Sequence, residues 1–345
     1  MLAGINTLQA ESLNSSNEEH YLFRILDTIR GAQDNTRFVL FTHEGNHDRY
    51  EGWMRVRVKP YGRGGLGWSN GDPGFAAAVR QAKVDVLLSL LEAAPVNSPV
   101  PTVLYTLGLS AWQDELNKSG SAVKAAKRAC AQARAILLPS EFMRRKCLEL
   151  FESPLDKSIV AHPGVDAGLD TRQPSLLNAP YFMSFLDSAT TAHLSEACAD
   201  LKKRNNDFPY PLIIAGPPSD TEPLSWGENI IRVETYTPQV LASLYQHSAA
   251  FLYPAKYDGS GMRVIEALRA GATVVTPTGN AANELAGDIP FFYNPASAAS
   301  MGQAIRWAIE QTPAQRKQRI QQGRTLAGKY SWEKTAWKLL AALKR

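Results

Sequence analysis

Short apolar segments alternate with longer amphipathic segments along the chain. In the first half, the apolar segments have the length of buried strands; they cover residues 37–42, 54–58, 84–88, 102–106, 135–138 and 158–160. Helical patterns lie between them, over residues 18–30, 74–82 and 119–133. Strands separated by helices of ten or more residues pair in parallel through right-handed crossovers. The first half therefore predicts a parallel sheet covered by helices.

The same alternation restarts after the turn-rich stretch 164–180, which Pro163, Pro174 and Pro180 bracket. Strands are predicted over residues 181–185, 212–215, 250–253 and 273–276, with helices over 194–203, 238–246, 264–270 and 300–310. The pattern predicts an α/β protein of two doubly wound, Rossmann-like domains that face each other across a cleft. We expect residues 1–165 to form the N-terminal acceptor-side domain and 166–330 the C-terminal donor domain. Residues 331–345 are expected to form a helix that packs back on one of them.

Composition narrows the classes of protein. The 345 residues are 44% hydrophobic and 20% charged, which suits two apolar cores. The net charge of +4 is too small to indicate a nucleic-acid partner. The three cysteines are scattered, the N-terminus lacks the pattern of a signal peptide, and no apolar run reaches the ~20 residues of a membrane span. We therefore expect a soluble cytoplasmic protein.

The segment 251–271, FLYPAKYDGSGMRVIEALRAG, has the most informative pattern. A strand ends near Pro254, a glycine-rich loop follows, and a helix starts around Arg263. Glycines permit close approach of the backbone, and the N–H groups at a helix start favour anionic or hydroxyl-rich ligands. Asp258 and Glu266, eight residues apart, are expected to face the cleft above the strand ends. Carboxylates in such a place accept hydrogen bonds from sugar hydroxyls.

This segment resembles the E-x7-E region of family 4 glycosyltransferases, retaining enzymes with the GT-B fold, with Asp258 in place of the first glutamate. The flanking segments are similar to the family as well. Residues 230–254 resemble its base-binding strand and loop, and further matches lie at residues 138–142, 162–166, 270–275 and 283–285. The resemblance covers residues 135–335 well and the first hundred residues weakly.

The resemblance implies transfer of a hexose from a nucleoside diphosphate sugar, with retention and without a metal or other cofactor. Asp258 and Glu266 would be the catalytic carboxylates, and Glu266 would accept bonds from the ribose hydroxyls. The other residues expected to bind the donor are Gly259, Ser260, Gly261, Met262, Arg263, Tyr236, Thr237 and Lys256. Of these, Tyr236 and Thr237 would line the nucleobase. On this basis Glu266→Ala should abolish transfer and leave the melting temperature nearly unchanged.

Three positions depart from the family pattern. Members carry an arginine and a lysine for the diphosphate after the first strand of the second domain, where this chain has Asp187 and Ala192. Leu107 stands where an N-domain histidine is usual. Arg263 and Lys256 form the hypothetical replacement for the missing cations. The alternative is a catalytically degenerate GT-B protein that acts as a partner or binding subunit.

The acceptor is open between a glycan, a lipid-linked molecule and another class. Basic residues cluster in three places, namely Arg55 to Arg63, Lys124 to Arg134 and Arg144 to Lys146. They are interpreted as solvated faces, with peripheral contact to an anionic membrane as the alternative that suits a lipid-linked acceptor.

Two further motifs lack the context that their chemistry requires. Residues 43–47, HEGNH, match the H-E-x-x-H zinc motif, which needs a helix, but Gly45 and Asn46 disfavour one. Residues 62–67 match G-x-G-x-x-G, but the next helical pattern begins only near Gly74. We expect loops at both places and no metal site.

Overall fold

The computed structural model describes residues 1–8, 16–32, 34–58, 73–95, 97–108, 121–185, 194, 197, 210–216, 230–255 and 258–345. Contacts among these residues divide the chain into two compact units. The first unit is Met1–Pro163 with Trp332–Arg345, and the second is Gly164–Ser331. The predicted glycine-rich loop at 62–67 lies outside the described residues.

The described part of the first unit contains one parallel sheet with helices between its strands. The strands are β1 (Leu2–Asn6), β2 (Arg37–Thr42), β3 (Arg55–Arg57), β4 (Val86–Leu90), β5 (Thr102–Tyr105), β6 (Ala135–Leu138) and β7 (Ser158–Val160). They lie in the order β3-β2-β1-β4-β5-β6-β7, and each neighbouring pair is parallel. The helices are α1 (Ser16–Gly31), α2 (Pro73–Gln81), α3 (Ser121–Gln132) and α4 (Glu141–Phe151).

Strand β1 was not predicted, although it is central in this sheet. Its residues Ala3 and Ile5 are fully buried, but glycine and alanine interrupt the apolar run. Gly4 lies against Phe41 of β2, and a Cβ at Gly4 would be 2.7 Å from the Phe41 ring. The small residue is therefore explained by a neighbour distant in sequence, which the local pattern does not reveal.

The second unit repeats the architecture. Its strands are β8 (Phe182–Ser184), β9 (Leu212–Ala215), β10 (Ile230–Val233), β11 (Ala250–Leu252), β12 (Val274–Pro277) and β13 (Phe291–Tyr293). In the described part they form a parallel sheet in the order β10-β9-β8-β11-β12-β13. The helices are α5 (Pro238–His247), α6 (Met262–Ala270), α7 (Ala281–Ala286), α8 (Ala298–Ile309) and α9 (Pro313–Ala327). The two parallel sheets confirm the predicted doubly wound α/β class.

Strand β13 was also missed, and β10 was indicated only by the resemblance of residues 230–254 to the family; both are edge strands. Strand β10 is half-exposed, so its apolar residues do not stand out as a buried run. Strand β13 has only three residues. Such short, partly solvated strands are defined by pairing with a neighbour rather than by their own pattern.

The last helix, α10 (Trp332–Lys344), belongs to the first unit. The Thr335 hydroxyl donates to the His162 carbonyl at 2.5 Å, and the Lys338 ammonium donates to the Val160 carbonyl at 2.6 Å. Leu339 and Leu343 are buried. The expectation that the C-terminal helix packs back on a domain is confirmed. Among the described residues, no helix is both long and apolar enough to cross a membrane.

A pair of substitutions in α10 tests this packing. Leu343→Ala should lower the free energy of unfolding by about 2–5 kcal/mol, because it removes a fully buried side chain and leaves a cavity. Trp337 is 58% exposed, so Trp337→Ala should change the free energy of unfolding by less than about 0.5 kcal/mol. Urea denaturation followed by circular dichroism measures both. Equal effects of the two substitutions would contradict the described packing of α10.

Candidate active site

The order of the strands in the second unit identifies where a ligand is expected. The chain leaves β8 toward one side of the sheet and β11 toward the other, so the strand order reverses between these two neighbours. Ligands of open α/β sheets bind outside the carboxyl ends of the strands at such a reversal. Phe185 directly follows β8, and Tyr253 directly follows β11.

Asp258 shapes the loop that enters α6. Its Oδ1 accepts bonds from the Ser260 amide at 2.8 Å, the Ser260 hydroxyl at 2.9 Å and the Gly261 amide at 3.1 Å. The Met262 amide donates to the Ser260 hydroxyl at 3.3 Å. These three amides, which the sequence assigns to the donor, are therefore bonded within the loop itself.

Gly261 is required by the backbone at this turn. Its φ of +63° lies in the left-handed region, and an added Cβ would be 2.7 Å from the Leu285 Cδ1 atom. A side chain at this position would strain the turn and displace Leu285. The glycine predicted from the sequence to permit a close approach thus first serves the local fold.

The pKa of the Asp258 carboxyl is raised by its surroundings. Burial raises its pKa from the usual 3.8, and hydrogen bonds from Ser260, Gly261 and Tyr253 oppose that rise without cancelling it. The three bonds to Oδ1 nevertheless hold the side chain in one orientation. Asp258 therefore acts as the residue that fixes the loop before α6.

Glu266 lies one helical turn after Met262, the first residue of α6, and forms a buried ion pair. Its Oε2 accepts from the Arg263 guanidinium at 2.9 Å, and both side chains are only 7% exposed. The Tyr245 hydroxyl of α5 donates to the same oxygen at 3.4 Å. The other oxygen, Oε1, makes no hydrogen bond within the part of the chain that the structure describes. One carboxylate oxygen is thus held by the protein, and the other keeps its capacity to accept bonds.

The Arg263 guanidinium joins three segments of the second unit. Besides Glu266, it reaches the Tyr236 hydroxyl at 3.5 Å, and its Cζ lies 4.1 Å from the centre of the Phe185 ring. Burial acts to lower the pKa of Arg263, but the Glu266 carboxylate and the Tyr245 and Tyr236 hydroxyls outweigh burial and raise it. Arg263 is therefore always charged, and its charge is committed to Glu266.

This geometry corrects one hypothesis about charge. The sequence suggests Arg263 and Lys256 as replacements for the missing diphosphate-binding cations. Arg263 is instead engaged by the Glu266 carboxylate, so it does not offer an uncompensated positive charge. Lys256, like Asp187 and Ala192, lies outside the described residues.

The predicted nucleobase residues flank this cluster. Tyr236 packs edge-on against Phe185, with ring centres 6.1 Å apart. Thr237 is exposed and is the N-cap of α5, where its hydroxyl accepts from the Val240 amide at 3.3 Å. The fold thus brings Tyr236, Arg263 and Glu266 together around Phe185.

Phe185 and Tyr245 are members of the cluster that sequence reasoning missed. Phe185 follows a strand at its carboxyl end, and that position was a usable signal. Tyr245 lies inside a helix whose pattern indicates only burial. Its contact with Glu266 follows from the packing of α5 against α6, which no local pattern reports.

In the first unit, the H-E-x-x-H segment forms a loop and a short 3-10 turn rather than an α-helix. Asn46 is fully buried and donates to the Thr7 carbonyl at 2.8 Å. The His47 Nδ1 lies 2.6 Å from the Thr42 hydroxyl, and the His43 Nδ1 accepts from the Gly45 amide at 3.0 Å. Over the described residues there is no group of three or more potential metal ligands.

The basic clusters on α3 and α4 have acidic neighbours. Lys127 pairs with Glu152, Arg144 with Glu141 and Lys146 with Glu149, at 2.5, 2.7 and 2.8 Å. Exposed pairs of this kind contribute little to stability, but they reduce the local positive charge. These pairs support the interpretation of the clusters as solvated faces.

The buried pair revises the expectation for Glu266→Ala. Removing one partner of a buried ion pair leaves the other charge uncompensated, which costs about 3–5 kcal/mol. We therefore expect Glu266→Ala to lower the free energy of unfolding by about 3 kcal/mol or more. Glu266→Gln should cost less, because the amide oxygen still accepts from Arg263. Urea denaturation measures both; a Glu266→Ala protein as stable as the wild type would contradict the pair.

A family model matches the part of the chain that contains this cluster. Residues 184–311, which include α6 and the Asp258 loop, match the family model described as Glycosyl transferases group 1. The O-antigen chain mannosyltransferase B of Escherichia coli is 23% identical over 232 residues, which is 61% of this chain and 61% of the relative. The matched region therefore spans less than two thirds of that relative.

Solved glycosyltransferases share the fold. A sucrose-phosphate synthase from Thermosynechococcus elongatus has a TM-score of 0.79 at 13% identity, covering 100% of this chain and 98% of its own. The Anabaena protein HepE, solved with UDP and glucose, has a TM-score of 0.76 at 16% identity, covering 100% of this chain and 99% of its own. WaaG, a glycosyltransferase involved in lipopolysaccharide biosynthesis, has a TM-score of 0.74 at 13% identity, covering 99% of each chain. The GT-B fold and the resemblance of this chain to family 4 glycosyltransferases are thereby confirmed.

Proposed function

We propose that this protein is a retaining glycosyltransferase that moves a hexose from a nucleoside diphosphate donor to a glycan, a lipid-linked molecule or another acceptor. The group 1 match supports the class of reaction, since it contains the complete described cluster at the strand reversal. A relative named as a mannosyltransferase and a fold neighbour named for lipopolysaccharide biosynthesis support a cell-surface glycan as the product.

The observation that carries the proposal is the Glu266 carboxylate. Arg263 and Tyr245 hold its Oε2, while Oε1 makes no bond within the described chain. An ionised carboxylate is purely an acceptor, so its complement is a donor such as a hydroxyl group. The vicinal hydroxyls of a ribose supply such donors. Tyr236 and Thr237, which directly precede α5, would contact the attached base.

The loop before α6 would serve the diphosphate and the sugar of the donor. Asp258 holds this loop and, through it, the start of the helix, whose dipole favours the negative charge of a departing diphosphate. Gly259 and Ser260 would approach the donor sugar. The proposed mechanism uses no metal, because stabilisation of the leaving group is assigned to the helix start and to the neighbouring backbone.

The first test is a thermal-shift panel with UDP, GDP, ADP, TDP and CMP at millimolar concentration. One diphosphate should raise the melting temperature by several degrees, because a ligand at 100 times its Kd adds about 2.7 kcal/mol. Glu266→Gln should remove most of this shift. Glu310→Gln, which changes an exposed carboxylate of the same unit, should keep it. No shift of the wild type with any nucleotide would overturn the donor site.

Turnover is tested with sugar nucleotides of the base so identified, offered with glycan and lipid-linked acceptors. We expect Glu266→Gln to lower kcat/KM at least 100-fold, and the product anomer, measured by NMR, to match that of the donor. An inverted anomer would refute the retaining mechanism. Nucleotide binding without any transfer or hydrolysis would instead favour the binding-subunit alternative.

The proposed location is the cytoplasm. Peripheral contact with a membrane is proposed only for the case of a lipid-linked acceptor. Co-sedimentation with anionic vesicles tests it, and protein that stays in the supernatant would reject it.

A further inference from the structure

The Arg263–Glu266 pair has a feature that stability does not explain. Buried ion pairs are weak contributors to stability, because desolvation of the two charges offsets their attraction. Well-packed apolar residues of similar size serve a core equally well. A buried arginine in the first turn of α6 therefore calls for another role, and its contacts indicate one.

Two groups bond Glu266, namely Arg263 of α6 and Tyr245 of α5. Two more tyrosines lie beside these partners: Tyr236 approaches Arg263, and Tyr253 acts electrostatically on Tyr245. Among these described groups, Arg263 is the cation. Burial raises the pKa of Tyr245 well above 10, so the hydroxyl stays neutral and donates a hydrogen bond to Glu266. Arg263 is thus the positively charged partner of the Glu266 carboxylate.

The orientation of Arg263 is held by contacts on its face and along its edge. Its planar guanidinium lies over the Phe185 ring, and its edge bonds Glu266 and approaches Tyr236. Stacking fixes the plane of the guanidinium, and the fork of N–H groups then fixes the carboxylate. Because Oε2 is the bonded atom, Oε1 is the oxygen that can accept a further bond.

We propose that Arg263 is a positioning residue for the nucleotide: it holds Glu266 in the orientation in which Oε1 receives the ribose hydroxyls. This inference rests on the proposed function. It assigns to Arg263 an indirect role, through Glu266, rather than direct contact with the diphosphate. Phe185 is part of the same device, since it sets the plane of the guanidinium.

The test compares variants by isothermal titration calorimetry at pH 7.5 with the nucleoside diphosphate that binds the wild type. Arg263→Met should weaken binding at least tenfold, because Glu266 loses the side chain that orients it. Arg263→Lys should recover only part of the affinity, since it retains the charge but not the planar fork of N–H groups.

Arg269 supplies the matched control. It lies on the same helix and pairs with Asp170 at 2.7 Å, again arginine with carboxylate. Arg269→Met should keep the wild-type affinity. The double variant Arg263→Met with Glu266→Gln should bind no more weakly than Glu266→Gln alone, because Arg263 acts through Glu266. Circular dichroism checks that each variant is folded, and Arg263→Lys serves if Arg263→Met is not.

Three outcomes would count against the inference. Wild-type affinity in Arg263→Met would overturn it alone, with the proposed function intact. Equal losses in the Arg263 and Arg269 variants would overturn it by showing general destabilisation. Absence of nucleotide binding by the wild type would overturn the proposed function and this inference together.

Discussion

The second unit is organised around a carboxylate that has been taken out of water. Glu266 is tolerated in the interior because Arg263 neutralises it and Tyr245 donates to it. Each of those partners has its own constraint, since Arg263 must lie on Phe185 and Tyr245 must be carried by α5. A single buried charge therefore dictates the relative placement of α5, α6 and the segment after β8. The same requirement leaves one oxygen of the carboxylate available to a ligand.

The parallel sheet determines where this arrangement is placed. Because all described pairings in the second sheet are parallel, the carboxyl ends of β8 and β11 meet at one edge. The loop held by Asp258 starts from that edge, and α6 begins directly after it. Gly261 provides the left-handed turn that lets the helix start there. Backbone geometry and buried charge thus converge on the same edge of the sheet.

Local patterns predicted much of the fold. Strands β2, β6, β7 and β9 were predicted with their observed bounds, because each is a short, largely apolar run with polar or turn residues beside it. The local pattern did not indicate β1, β10 and β13, since they depend on pairing or contain small residues, and only β10 was indicated by the resemblance. The site followed the same division. The spacing of Asp258 and Glu266 and the helix start were visible in the sequence, whereas Phe185 and Tyr245 were not recognised.

By itself, the sequence determined the fold class, the loop–helix segment and the resemblance to glycosyltransferases, since these depend on periodicity and spacing along the chain. Only the tertiary structure decided which charged side chains are bonded to other groups of the protein. Arg263, which the sequence offers as a cation for a diphosphate, is committed to Glu266, and Asp258 is committed to its own loop. The physical reason is that burial and the choice of partner depend on which segments pack together. The sequence specifies which side chains are charged, whereas the fold decides which of those charges can contact a ligand.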